Sequence, residues 1–495
     1  MKATSFVAIT TLLTVLLSVS GFAQKKAETS PDTSLMRVNS TLQSYSFLRP
    51  WEKGAPTPRR GLGAILEGNL VLTTAELTVN STYIELEHPT TGQKVPAKII
   101  GRDYEANLAL LAPASDNSVF DGTVAVPIND SVKGGETIEA WQIEDNGDGV
   151  KTEVEVLRAS VGRYFVDRSI LLTYEVKGSL QARANSFTLP VFKDGGLVGL
   201  LLSYDSKEQT SAILPATVIN KFLADLDDGN YAGFPNIGIS YSQMLDGQLR
   251  KFTGVKEDGG VFIRSARKDG SAGKAGVEAG DVLMAINGHA IDSRGNYQHE
   301  KFGKINFSHI VRGEAKVGDT LKFDVVRDGE KKSIDVKLAR KLPGDYLIDP
   351  YMYDRGPKYV IFGGLIFQEL TLPYLKSWGG KWNTQAPFKL VHANSSPKKY
   401  EDEGRTKLVF LSNVLKTPAT LGYENLGGVI LTEVNGKEIK NINDLSKAFA
   451  AAPEKGIHRI EFEGYPKVIF VDDNVSKQIN LQLIQYGITE LERLK

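Results

Sequence analysis

Ala279-Gly280-Asp281-Val282-Leu283-Met284-Ala285-Ile286-Asn287-Gly288 is the stretch on which the reading of this chain turns. The apolar run Val282 to Ile286 is bounded by Gly280-Asp281 and by Asn287-Gly288. Asn-Gly supplies two residues that tolerate positive φ, so the run reads as a strand entering a tight hairpin. The pattern returns at Gly427-Gly428-Val429-Ile430-Leu431-Thr432-Glu433-Val434-Asn435-Gly436. That weak internal repeat implies two copies of one strand-rich module. The first copy spans 233–342. It carries Gly259-Gly260-Val261-Phe262-Ile263 ahead of the central run, and Phe323-Asp324-Val325-Val326-Arg327-Asp328-Gly329 closes it. The second spans 343–495, begins with a Tyr/Pro-rich bridge (345–358), and contains an amphipathic helix from Ile442 to Ala452 with Leu445, Ala448 and Phe449 inward.

Upstream, from Gly61 to Ile213, short apolar β-rich runs alternate with turns at a spacing suited to barrels, as in Asn69-Leu70-Val71-Leu72-Thr73 and Leu108-Ala109-Leu110-Leu111. Pro215 to Leu226 has helical periodicity, and Asp227-Asp228-Gly229-Asn230 ends it as a linker. The barrel block is taken as 46–230. Residues 24–45 are polar and read as a flexible leader. Lys2, the apolar run Phe6 to Val19 and Gly21-Phe22-Ala23 read as a secretory signal peptide, 1–23. The expectation is an exported protein, periplasmic or secreted and not membrane-spanning.

The 495 residues exceed what one core holds, and length alone suggests about three domains. Lys plus Arg and Asp plus Glu are 59 each, so nothing points to nucleic acid as a partner. Cysteine is absent, which excludes disulfides, thiolate nucleophiles and zinc–thiolate sites. No metal and no cofactor are expected.

Gly280-Asp281-Val282 with Asn287-Gly288, preceded by Ile237-Gly238-Ile239, resembles the PDZ core of HtrA/Deg proteases. Tyr359 to Phe367, Val409 to Ser412, Gly422-Tyr423-Glu424 and Tyr486-Gly487-Ile488 are similar to the atypical second PDZ region of plant-type Deg proteases. The resemblance implies a mainly β fold: a trypsin-like double β-barrel followed by two PDZ-like α+β domains. It also implies a trimer-based homo-oligomer.

The barrel departs from the family pattern. Where active members have histidine after Leu-Thr-x-Ala, this chain has Glu76. Asn107 stands for the aspartate. The serine segment reads Ala184-Asn185-Ser186-Phe187-Thr188-Leu189-Pro190, so the serine position falls on Ser186 or Phe187, and the glycines after it are missing. Imidazole shuttles a proton near neutral pH, whereas a carboxylate with an ordinary pKa does so poorly. The glycine-free segment is expected not to form the oxyanion turn. A carboxylate pair of Glu76 with Glu105 or Asp103 is one option for acid–base work, and drift at a disused site is the other. From these departures the chain is expected not to be an enzyme, with no catalytic residues. Its expected role is binding, chaperoning or scaffolding; an active HtrA-type endopeptidase of protein quality control is the alternative. The peptide site is expected at Phe234, Pro235, Asn236, Ile237, Gly238 and Ile239, where a ligand strand adds to a sheet edge and backbone N–H groups take its carboxylate. Its expected partners are unfolded or C-terminal peptide segments, or an active Deg relative.

Overall fold

The computed structural model describes residues 31–167, 169–180, 188–227 and 229–495. The signal-peptide reading, Ser186 and Phe187 lie outside them. The fold is mainly β, with 39% strand and 20% helix.

Strands β1 (Leu35–Leu42), β2 (Thr57–Leu66), β3 (Leu70–Thr73), β4 (Ser81–Glu87), β5 (Lys94–Asp103) and β6 (Leu108–Pro113) close a barrel in the order β1-β2-β3-β6-β5-β4. Met36, Val38, Ile65, Val71, Leu86 and Leu111 fill it. This corrects the leader reading. Residues 35–42 pair with both β2 and β4, and Leu35, Met36 and Val38 are buried. The stretch looks polar because its outward residues face acids on β4: Arg37 donates to Glu87 at 3.1 Å, and Asn39 donates to the same carboxylate at 2.7 Å.

A second barrel follows from β7 (Thr137–Ile143), β8 (Gly149–Arg163), β9 (Ile170–Lys177), β10 (Pro190–Lys193), β11 (Gly196–Asp205) and β12 (Thr210–Pro215), in the order β10-β11-β12-β9-β8-β7. Helix α1 (Ala216–Asp227) lays Val218, Ile219 and Phe222 against it, the face its periodicity gave.

The first C-terminal module has β13 (Ile239–Gln243), β14 (Val261–Ala266), β15 (Val282–Ile286), β16 (His289–Ala290), the separate hairpin β17 (Asn296–His299) and β18 (Gly303–Asn306), then β19 (Thr320–Arg327) and β20 (Glu330–Lys337). Its sheet runs β13-β14-β15-β19-β20, with β16 on β15, so β13 is an edge strand. Asn287 (φ 48°) and Gly288 (φ 80°) make the hairpin turn that their identities demanded.

The second module has β21 (Tyr359–Phe362), β22 (Leu365–Glu369), β23 (Val409–Val414), β24 (Val429–Val434), β25 (Lys437–Glu438), β26 (Ile457–Phe462), β27 (Val468–Asp472) and β28 (Glu492–Arg493). Asn435 (φ 53°) and Gly436 (φ 75°) repeat the turn. Aligning the two turns sets β24 on β15, β23 on β14 and β22 on β13. The modules then differ at one place. The edge that is open on β13 is covered on β22 by antiparallel β21, and β28 adds outside it. Phe362 of β21 stacks on Phe449 of the helix Ile442–Ala450, ring centres 4.3 Å apart. Short helices between 372 and 402, which the sequence reading did not find, make a small core of their own around Leu375, Leu390, Tyr400 and Phe410.

Candidate active site and peptide-binding edge

Glu76 lies on a single helical turn after β3, and Asn107 lies between β5 and β6. The backbone N–H of Glu76 donates to Asn107 Oδ1 at 3.0 Å. Asn107 is buried at φ 54°, a left-handed conformation that asparagine tolerates better than most residues. The two positions singled out in sequence therefore meet at the barrel cleft. Burial raises the pKa of Glu76, and Arg59, 3.6 Å from its carboxylate, acts in the opposite sense.

The second barrel reaches the same place through Thr188, whose hydroxyl pairs with that of Thr74 at 2.6 Å, out of solvent. Thr188 sits at φ 58°. The β-branched residue is held there at a cost of about 1–3 kcal/mol, under a buried hydroxyl pair and the buried Leu189. The expected lack of an oxyanion turn concerns Ser186 and Phe187, which lie outside the described residues. Asp103 and Glu105 do not join Glu76. Asp103 receives Tyr231 (2.7 Å) and Arg340 (2.9 Å), and Glu105 receives Arg312 (2.7 Å). The three donors come from the α1–β13 connection and the first module. Nothing in the sequence marked these arginines as partners of the cleft loop.

The expected peptide site is only partly a surface. Phe234 and Pro235 are buried. The ammonium of Lys221 on α1 lies 5.2 Å from the centre of the Phe234 ring, and Arg312 donates to the Pro235 carbonyl at 3.5 Å. They belong to the junction of barrel and module. Ile237, Gly238 and Ile239 remain at the mouth of the β13 edge, half-buried. Gly238 stands at φ 77°, and a Cβ there would lie 3.1 Å from Gly270 Cα, so glycine is required on both counts. Its N–H donates to Asn236 Oδ1 at 2.8 Å. Lys221 also donates to the carbonyls of Arg312 (2.8 Å) and Ala315 (2.5 Å), fastening the helical turn Ile310–Glu314 of the module to the barrel.

His299, His309 and Glu314 gather nearby. His299 Nδ1 accepts the N–H groups of Lys301 (3.0 Å) and Phe302 (3.1 Å). Its Nε2 therefore carries a proton, directed at Glu314 3.2 Å away, rather than a lone pair for a metal. The cluster is a hydrogen-bonded one. Burial, then the neighbouring His299 and Lys221, push the pKa of His309 down to about 4. An unfolded histidine titrates near ~6.5, so the folded form loses stability as pH falls from there towards 4, where the unfolded chain binds the extra proton. Calorimetry of the full chain at pH 7 and pH 4.5 is expected to show an acid loss to which His309 contributes about 2 kcal/mol, a share that His309→Gln removes. An unchanged pH slope in the variant would refute this.

Family models for the PDZ domain match residues 235–338 and 348–492. Protease Do-like 2, chloroplastic, of Arabidopsis thaliana is 25% identical over 464 residues, covering 92% of this chain and 74% of that protein. The periplasmic serine endoprotease DegP of Escherichia coli (strain K12) is 22% identical, over 62% of this chain and 64% of its own. This is a protein with two PDZ domains. A solved HtrA-type protease, AlgW with tripeptide, is similar over 63% of this chain and 96% of its own at 16% identity, with a TM-score of 0.48. The relatives overturn one expectation. The chain was read as a non-enzyme, yet proteins that match it along nine-tenths of its length are named as proteases. Their compartments differ: DegP is periplasmic, and Do-like relatives are chloroplastic or mitochondrial. Among the described residues no helix is long and apolar enough to cross a membrane.

Proposed function

We propose that this protein handles unfolded or C-terminal segments of exported polypeptides as an HtrA-type endopeptidase of protein quality control, with the first PDZ domain receiving the segment. The observation that carries the reading is the β13 edge. Among the described residues it ends its sheet unpaired and opens beside Gly238, where a peptide strand can add by backbone hydrogen bonds. The second PDZ domain offers no such edge on β22, because β21 covers it. The named relatives support hydrolysis at the barrel cleft.

The proton acceptor available at the histidine position is a carboxylate. Glu76 can serve only when ionised, and its raised pKa brings it closer to the working range of a general base. The hydroxyl proposed to attack is that of Ser186. A chaperone-like or scaffold role, including assembly with a Deg relative into a trimer-based oligomer, is favoured by the same free edge, which is open whatever happens at the cleft.

The test is casein cleavage by the purified chain between pH 4 and pH 9, with Ser186→Ala and Glu76→Gln beside it. Cleavage that both variants abolish, rising with pH through the raised pKa of Glu76, is the expected result. No cleavage at any pH removes the endopeptidase reading. Peptide-array binding tests the edge separately. Gly238→Glu is expected to weaken binding at least tenfold, since it adds a side chain at positive φ and a negative charge where the ligand carboxylate would lie. Equal binding by the variant would place the peptide elsewhere.

A further inference from the structure

The segment Pro350–Arg355 lies at the start of the second PDZ domain, and its Tyr353 and Asp354 reach the barrels. Asp354, at φ 61°, makes a reciprocal pair with Asn80: the N–H of Asn80 donates to Asp354 Oδ1 at 2.9 Å, and the N–H of Asp354 donates to Asn80 Oδ1 at 2.6 Å. Its second carboxylate oxygen takes the Arg102 guanidinium and the Tyr104 hydroxyl together. The Tyr353 ring lies 4.7 Å from Tyr104 of the first barrel and stacks at 5.3 Å on Phe165, in the β8–β9 connection of the second. Tyr351 packs against Tyr353 at 5.4 Å.

These anchor points lie close in sequence to the cleft. Asn80 follows Glu76 by one helical turn and the loop after it. Tyr104 precedes Asn107 within the same loop. Cavities of about 370 Å³ and 420 Å³ flank the segment on its two sides. Met352 is buried, and the segment reaches the barrels through the Asp354 bonds and the Tyr353 stack.

We infer that residues 350–355 form a strap across both barrels that holds the rim loops carrying Glu76 and Asn107, so that lifting the strap frees those loops. This is independent of whether the chain cuts peptides, and its test needs no client. Backbone hydrogen exchange of the full chain is followed by mass spectrometry for the native protein, Asp354→Ala, Tyr353→Ala, and Tyr486→Ala as a control at a residue 84% exposed. The expected result is exchange about tenfold faster or more over 75–81 and 103–108 in both strap variants. Native rates should persist in β15, β19, β24 and β26, and the control should not change. Native rates at the rim loops in both strap variants would overturn the inference. So would an equal acceleration over the whole chain in both, which would make the segment a general stability element instead.

Discussion

Asp103→Ala is expected to destabilise the barrel and its junction with the first PDZ domain by about 3–5 kcal/mol, because it strands charge and polar groups that were buried as a set. The Asp103 side chain is wholly out of solvent. Its carboxylate accepts the N–H of Ala106 at 2.8 Å, the Tyr231 hydroxyl at 2.7 Å and the Arg340 guanidinium at 2.9 Å. Alanine leaves Arg340 as an uncompensated cation at a domain boundary and releases the loop that carries Asn107. Asp103→Asn keeps one acceptor oxygen, loses the charge and turns an NH2 group towards the Ala106 N–H or Arg340, so part of the loss is expected from it too. Urea denaturation followed by tryptophan fluorescence measures the difference. A loss under about 1 kcal/mol for the alanine variant would mean that water replaces the carboxylate and that the cluster is not sealed.

Phe362→Ala is the second large effect, also about 3–5 kcal/mol, confined to the second PDZ domain. The ring is almost fully buried, lies parallel to Phe449 at 4.3 Å, and meets His458 edge-on at 4.9 Å. Its removal leaves a cavity between β21 and the helix Ile442–Ala450, and loses an aromatic pair worth about 1 kcal/mol beyond its area. Calorimetry should show the lost stability in the transition of that domain, with the His309-dependent acid response of the first PDZ domain unchanged. A change of less than about 1 kcal/mol would show that the groove collapses onto the gap.

Much of this architecture was legible because its signals are local. Asn287-Gly288 and Asn435-Gly436 fix their hairpins through their own φ preferences, and Val282 to Ile286 is a strand on its apolar run alone. Elements with mixed faces were lost. β1 hid behind Arg37, Asn39 and Ser40. β8 hid because Lys151, Glu153 and Glu155 alternate with Val154 and Val156, so that half the strand reads as solvated loop. At the candidate site, the meeting of Glu76 with Asn107 was carried by the resemblance. The roles of Arg312, Arg340, Lys221 and Asp354 could not be read, because a charged residue that binds across a domain junction has the same local sequence signature as one facing water. Phe234 and Pro235 illustrate the converse. They looked like ligand-contacting apolar residues and are core.

The strand β21 has a thermodynamic consequence for anything that would dock on β22. It is tethered through a two-residue link, Gly363-Gly364, so it competes as a neighbour fixed at an effective concentration of roughly millimolar or more. With β21 holding β22 at micromolar intrinsic affinity, a free peptide would then register about a thousandfold weaker than its contacts imply. Selectivity between the two PDZ domains is therefore set before any ligand side chain is read, by which sheet already holds its guest.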